Sequence, residues 1–169
     1  YHQGGEMDPD TVPAIMDRVG LDEVILVANS ILFASGSIKN DDYRVNQFTN
    51  AYVDFMLEEV VDPDNGIYTV IPAPYQNPDV CVDLIERVGD EDGILGLCMV
   101  TGGPEPPLGN RKYDPIYKAA EDKDLPVIFH TGGSGLASYH VDGYESYLET
   151  HTLGFVVSNM SQMTSIVVQ

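Results

Sequence analysis

His130 is the residue whose type and setting most directly suggest chemistry. It follows the apolar run PVIF at 126–129 and opens the glycine-rich stretch HTGGSGLASYHVDG at 130–143. In parallel α/β folds the ligand site lies at the carboxyl ends of the strands. A histidine there, backed by Gly132 and Gly133, can turn its imidazole into an open mouth with space left for a ligand. Neutral imidazole is a common ligand for zinc and similar ions. The competing reading is a hydrogen-bonded histidine that caps the strand.

Other residues in the same region offer weaker chemistry. The stretch 101–115, TGGPEPPLGNRKYDP, is long, stiffened by prolines and contains Arg111. A guanidinium can clamp a substrate carboxylate bidentately, although a surface ion pair with neighbouring acids would use it equally well. Tyr139, His140, Tyr144 and His151 can line a substrate lid, or can be exposed or capping residues with no such role. Cys98 sits inside an apolar strand pattern and reads as core packing.

Rival motifs fail on spacing. Residues 130–138 lack the third glycine of a dinucleotide fingerprint, and no Gly-Lys-Ser/Thr forms a phosphate loop. Ser134 lies in GGSG, but Leu136 stands where a nucleophile elbow has its final glycine. The two cysteines, Cys81 and Cys98, make neither a disulfide framework nor a metal knuckle, which suits a reducing cytoplasm.

The elements that would position these residues alternate strand and helix. Runs at 24–28 (VILVA), 67–71 (IYTVI), 94–100 (ILGLCMV) and 126–129 (PVIF) are continuously apolar, as strands covered on both faces are. Their starts are 43, 27 and 32 residues apart, enough for a helical return each time. Val45, Phe48, Tyr52, Phe55, Met56 and Val60 make one helical stripe in 42–60; Cys81, Leu84, Ile85 and Val88 make another in 77–88. Asp8-Pro9, Asn77-Pro78 and Asp114-Pro115 each pair an Asx cap with a proline suited to the first helical position.

At the start, 1–23 supply a loop and a helix bearing Val12, Ile15, Met16 and Val19. At the end, Leu153, Val156, Met160, Met163 and Val167 predict a buried helix. The fold class expected is α/β. Four sequential βα units amount to half of the roughly 250 residues of a closed eight-stranded barrel. The chain is therefore read as one incomplete domain over 1–169, beginning after one strand and ending before another.

The segment 105–133, EPPLGNRKYDPIYKAAEDKDLPVIFHTGG, resembles the amidohydrolase-related family that includes aminocarboxymuconate-semialdehyde decarboxylase. The likeness rests on Arg111, Tyr113, Asp114, Pro115, Ile116, Tyr117, Ala119 and Ala120, followed by Leu125, Pro126, Val127 and His130. It implies a partial (β/α)₈ barrel comprising strands two to five. It also implies that His130 is the metal-binding histidine at the end of the fifth strand.

That family's other ligands are a His-x-His pair on strand one and an aspartate on strand eight, with a catalytic histidine after strand six. Here His2 is followed two residues later by Gly4, so His130 is expected to be one ligand of a larger site. Two-metal relatives carry a bridging lysine on strand four; 94–100 contain none, which points to the single-metal branch. The implied activity is a metal-dependent hydrolase of a small organic molecule, with a non-oxidative decarboxylase as the alternative. A divalent metal is the implied cofactor, with zinc expected. A non-catalytic small-molecule-binding α/β domain is the rival from another class.

The charge narrows the partners. Asp and Glu total 27 against 8 Lys and Arg, a formal net charge of −19, which repels nucleic acid and anionic membrane surfaces. The acids are dispersed and the chain keeps ten tyrosines and five phenylalanines, which argues against disorder. A dispersed acidic surface resembles proteins of salt-loving organisms. No signal-peptide pattern and no transmembrane-length run is read, so a small-molecule substrate, a cytoplasmic location and self-association into a homo-oligomer are expected. Open sheet edges would make the chain prone to aggregate or reliant on a partner.

Overall fold

The computed structural model describes residues 10–29, 42–131 and 146–169. Helix α1 (Thr11–Val19) leads to β1 (Val24–Leu26), and α2 (Asp42–Phe55) runs on into a π-helical turn at Met56–Val60. After a 3₁₀ turn at Pro63–Asn65 come β2 (Ile67–Pro72), α3 (Pro78–Val88) and β3 (Ile94–Val100). A second 3₁₀ turn at Arg111–Tyr113 opens α4 (Asp114–Asp122), followed by β4 (Val127–His130) and the long α5 (Tyr147–Val168). The four strands form one sheet in the order β1-β2-β3-β4, every neighbouring pair parallel. Sequential parallel strands with helical returns are the repeat of a (β/α)₈ barrel, and the described chain is a partial one.

Apolar spacing explains the packing. Cys81, Leu84, Ile85 and Val88 of α3 are all buried, as the stripe predicts, with β2, β3 and the α4 residues Ile116, Ala119 and Ala120 in the same cluster. A smaller cluster joins Val12 and Met16 of α1 to Met56, Val60 and Ile67. Val24 and Leu26 pack against that cluster while Ile25, pointing the other way, is half exposed. One face of β1 is therefore helix-covered and the other open. Ile25, Tyr68 and Leu95 line a cleft of about 460 Å³ on that open face.

Several local readings need correction. The buried side of α2 is Val45, Thr49, Val53 and Met56; Phe48 and Phe55 flank it and are exposed. Period alone does not distinguish the centre of a stripe from its edge. The expected Asx caps are also not formed as predicted. Asn77 holds the N-cap position and Pro78 the first helical one, but the Asn77 side chain makes no cap bond. Asp114 is already helical, whereas Asp8 and Pro9 fall outside the described residues. The side chain that does cap is Asn110, which accepts from the Lys112 N–H at 3.0 Å.

The largest departure is α5. Of its predicted core stripe, Leu153 is half-buried but Val156, Met160, Met163 and Val167 face outward, from 48% exposed at Val156 to 84% at Val167. Gly154, Ser158 and Gln162 are the buried positions instead.

Candidate metal site at the carboxyl end of the sheet

His130 is the last residue of β4, in register with Val100 at the end of β3. Its carbonyl accepts the Thr101 N–H at 2.9 Å, carrying the ladder one residue beyond the strand. The residue is half-buried, yet its Nδ1 is fully buried and has no hydrogen-bond partner among the described residues. Leaving such a nitrogen unsatisfied costs on the order of 1–3 kcal/mol, and native structures rarely tolerate it without a reason. A histidine capping its strand through Nδ1 would show a bond there. A divalent cation is a chemically suitable partner, so the position fits the ligand role.

The loop after β3 is rigidly held. Tyr113 and Tyr117, one helical turn apart, donate their hydroxyls to the carbonyls of Pro106 (2.9 Å) and Leu108 (2.7 Å). Burial pushes the Tyr113 phenol up to about 12 and raises Tyr117 further, so both remain neutral donors at physiological pH. Tyr75, in the turn after β2, stands edge-on to Tyr113 at 6.3 Å and is likewise raised by burial. Gly103 has φ +112, a backbone open to glycine, and a Cβ there would lie 3.6 Å from the Tyr75 hydroxyl. The Glu105–Pro106 bond is cis. The two tyrosines of the sequence motif thus tie a loop, and reading them as motif letters missed that. The detectable signal was their i, i+4 spacing beside a proline-rich segment.

From the other side α5 closes on the same loop. The Ser158 hydroxyl donates to the Thr101 carbonyl at 2.9 Å, the Leu108 N–H donates to Gln162 Oε1 at 2.8 Å, and the Gly109 N–H donates to Ser165 Oγ at 2.9 Å. None of these three α5 residues figured among the sequence candidates. Their partners are backbone groups, which leave no compositional trace.

The remaining candidates are not gathered around His130 by any described contact. Arg111 is exposed in the 3₁₀ turn and makes no ion pair among the described residues, so the expected pairing with neighbouring acids is not seen there. Tyr139, His140 and Tyr144, with Gly132, Gly133, Ser134 and Leu136, lie outside the described residues. So do His2 and Gly4. His151 falls within α5, and its side chain is likewise outside the description. Cys98 is fully buried and its thiol is pushed up to about 11 by burial, as a core residue should be. Among the described residues no three His, Cys, Asp or Glu side chains cluster as a metal site.

Four sequential parallel strands with helical returns, the last ending on His130, make a partial (β/α)₈ barrel. Residues 15–167 match the family model described as amidohydrolase, and the chain belongs to that family. No curated protein matches it.

Among solved structures, 2,6-dihydroxybenzoate decarboxylase from Rhizobium superposes with a TM-score of 0.71 at 18% identity, covering 92% of this chain and 50% of that one. Dihydroxybenzoic acid decarboxylase from Polaromonas sp. JS666, with bound manganese and 2-nitroresorcinol, gives 0.69 at 17% identity, covering 96% and 49%. The manganese-bound 5-carboxyvanillate decarboxylase of Novosphingobium aromaticivorans gives 0.63 at 21% identity, covering 75% and 34%. The chain thus spans between a third and a half of these structures, and the likeness is one of fold. No helix among the described residues is long and apolar enough to cross a membrane.

Proposed function

We propose that this chain is the strand-two-to-five portion of a metal-dependent enzyme acting on a small organic acid, with His130 as one metal ligand. The observation that carries the reading is the buried Nδ1 of His130 without a partner at the carboxyl end of β4. When bound, a divalent metal would act as a Lewis acid toward a substrate oxygen. Within this chain, His130 would hold the metal, and the loop pinned by Tyr113 and Tyr117 would wall the mouth beside it. The absence of lysine from β3 supports a single metal ion.

Hydrolysis is the reaction suggested by the family description, and non-oxidative decarboxylation is the reading favoured by the solved relatives cited above. Their names refer to carboxylated phenols, so an aromatic hydroxy-acid is the substrate class we favour. Manganese, bound in two of them, is as suitable an ion as zinc for a site built on imidazole.

The test is made on the protein carrying the remaining barrel strands. It should be stripped of metal, reloaded with manganese or zinc, and assayed in parallel for carbon dioxide release from hydroxybenzoates and for hydrolysis of amides and lactones. Metal-restored carbon dioxide release supports decarboxylation; metal-restored hydrolysis alone supports the hydrolase. Activity unaffected by chelation would overturn both.

A further inference from the structure

Helix α5 docks with the wrong face for an ordinary amphipathic helix. Val156, Met160, Met163 and Val167 point outward, while the docked face carries Gly154, Ser158 and Gln162. Burying hydroxyl and amide groups is unfavourable unless each finds a partner. Here they do. Ser158 donates to the Thr101 carbonyl at 2.9 Å and lies 3.3 Å from Thr101 Oγ1. Gln162 Oε1 accepts from Leu108, and Ser165 Oγ accepts from Gly109 while donating to the Gln162 carbonyl at 2.7 Å. Gly109 lets the backbones meet, since a Cβ there would sit 1.9 Å from the Ser165 carbonyl oxygen. Directional bonds of this kind fix helix position in a way that a smooth apolar contact does not.

The clasp leads to the candidate ligand. Thr101 is 1% exposed; its N–H holds the His130 carbonyl at 2.9 Å, and its Oγ1 lies 3.5 Å from the same oxygen. Ser158, 7% exposed, holds Thr101 in turn. Among the described residues no bond at Nδ1 orients the His130 ring, so the peptide from which it projects is a point at which its direction can be set.

We propose that Ser158 and Thr101 are positioning residues for His130, and that α5 is a polar clasp holding the end of β4 in the geometry a metal ligand needs. The metal arm of the test rests on the ligand reading above; the positioning itself does not. Partners one step removed from a metal ligand typically matter about 10–100-fold in affinity.

The experiment is NMR on the barrel-complete protein that carries these 169 residues. Three-bond couplings report the His130 χ1 rotamer, and broadening of its ring signals by manganous chloride reports metal approach. Ser158→Ala, which removes the donor to the Thr101 carbonyl, should average the couplings and weaken the broadening about tenfold. Ser158→Thr, which keeps the hydroxyl, should restore both, and Val12→Ala, a destabilising control in the other core cluster, should disturb neither. If Ser158→Ala fails to fold, Ser158→Cys, similar in shape but a much weaker donor, takes its place. Couplings in the clasp variants indistinguishable from the Val12→Ala control would overturn the proposal. In the barrel-complete protein, a His130 that ignores manganese would sink the ligand reading, leaving the couplings to judge positioning alone.

Discussion

At the scale of single residues, buried hydroxyls and thiols make the firmest predictions. Tyr117→Phe removes the donor to the Leu108 carbonyl and should cost about 1–2 kcal/mol in urea denaturation. A change within experimental error would show that the loop does not depend on that bond. The Tyr113 phenol, raised by burial to about 12 from the ordinary tyrosine value of 10.0, has a signed consequence. The unfolded chain ionises first, so the stabilisation is complete below pH 10 and is lost as pH rises through about 12. The difference in 295 nm absorbance against pH between the wild type and Tyr113→Phe, followed beside the unfolding midpoint, tests this; a difference that titrates at 10 in the native chain contradicts it. Cys81 and Cys98, both buried and both raised by burial, should resist alkylation at pH 8 until denaturant is added.

How much of the site the sequence revealed also divides at this scale. The placement of His130 after an apolar run could be read from order alone, and the strand ends on it. The orphaned Nδ1 could not, because a missing partner is a property of three-dimensional surroundings. Arg111 sits exposed in its turn, and spacing does not say which way a turn residue points.

At the scale of elements, apolar periodicity located α3 and the four strands to within a residue or two, because there the buried face and the apolar face coincide. It failed for α5, where the docked face is small and polar. Periodicity reports where apolar side chains lie and not what covers them. The same docking makes Gly109 a sensitive position. Gly109→Ala would force its Cβ against the Ser165 backbone and should destabilise the fold by about 1–3 kcal/mol, with α5 amides losing exchange protection first. Uniform protection along α5 in that variant would show that the helix is not held there.

At the scale of the whole molecule, two features dominate: an acidic surface and apolar rows that the described residues leave open. With a formal charge of −19, self-repulsion should make the thermal midpoint rise as potassium chloride screens it, and a salt-independent midpoint would argue against that reading. Ile25, Val27 and Leu95 on the sheet, with Met160 and Met163 on α5, are apolar surface of the kind that other barrel strands or a second molecule would cover.

The central claim remains that His130 ligates a metal. Its most direct test is calorimetric titration of manganese and zinc into the barrel-complete protein and its His130→Ala variant. Loss of one of the roughly three protein ligands of a catalytic site should weaken binding at least about a hundredfold. Equal affinity in the two proteins would contradict the assignment.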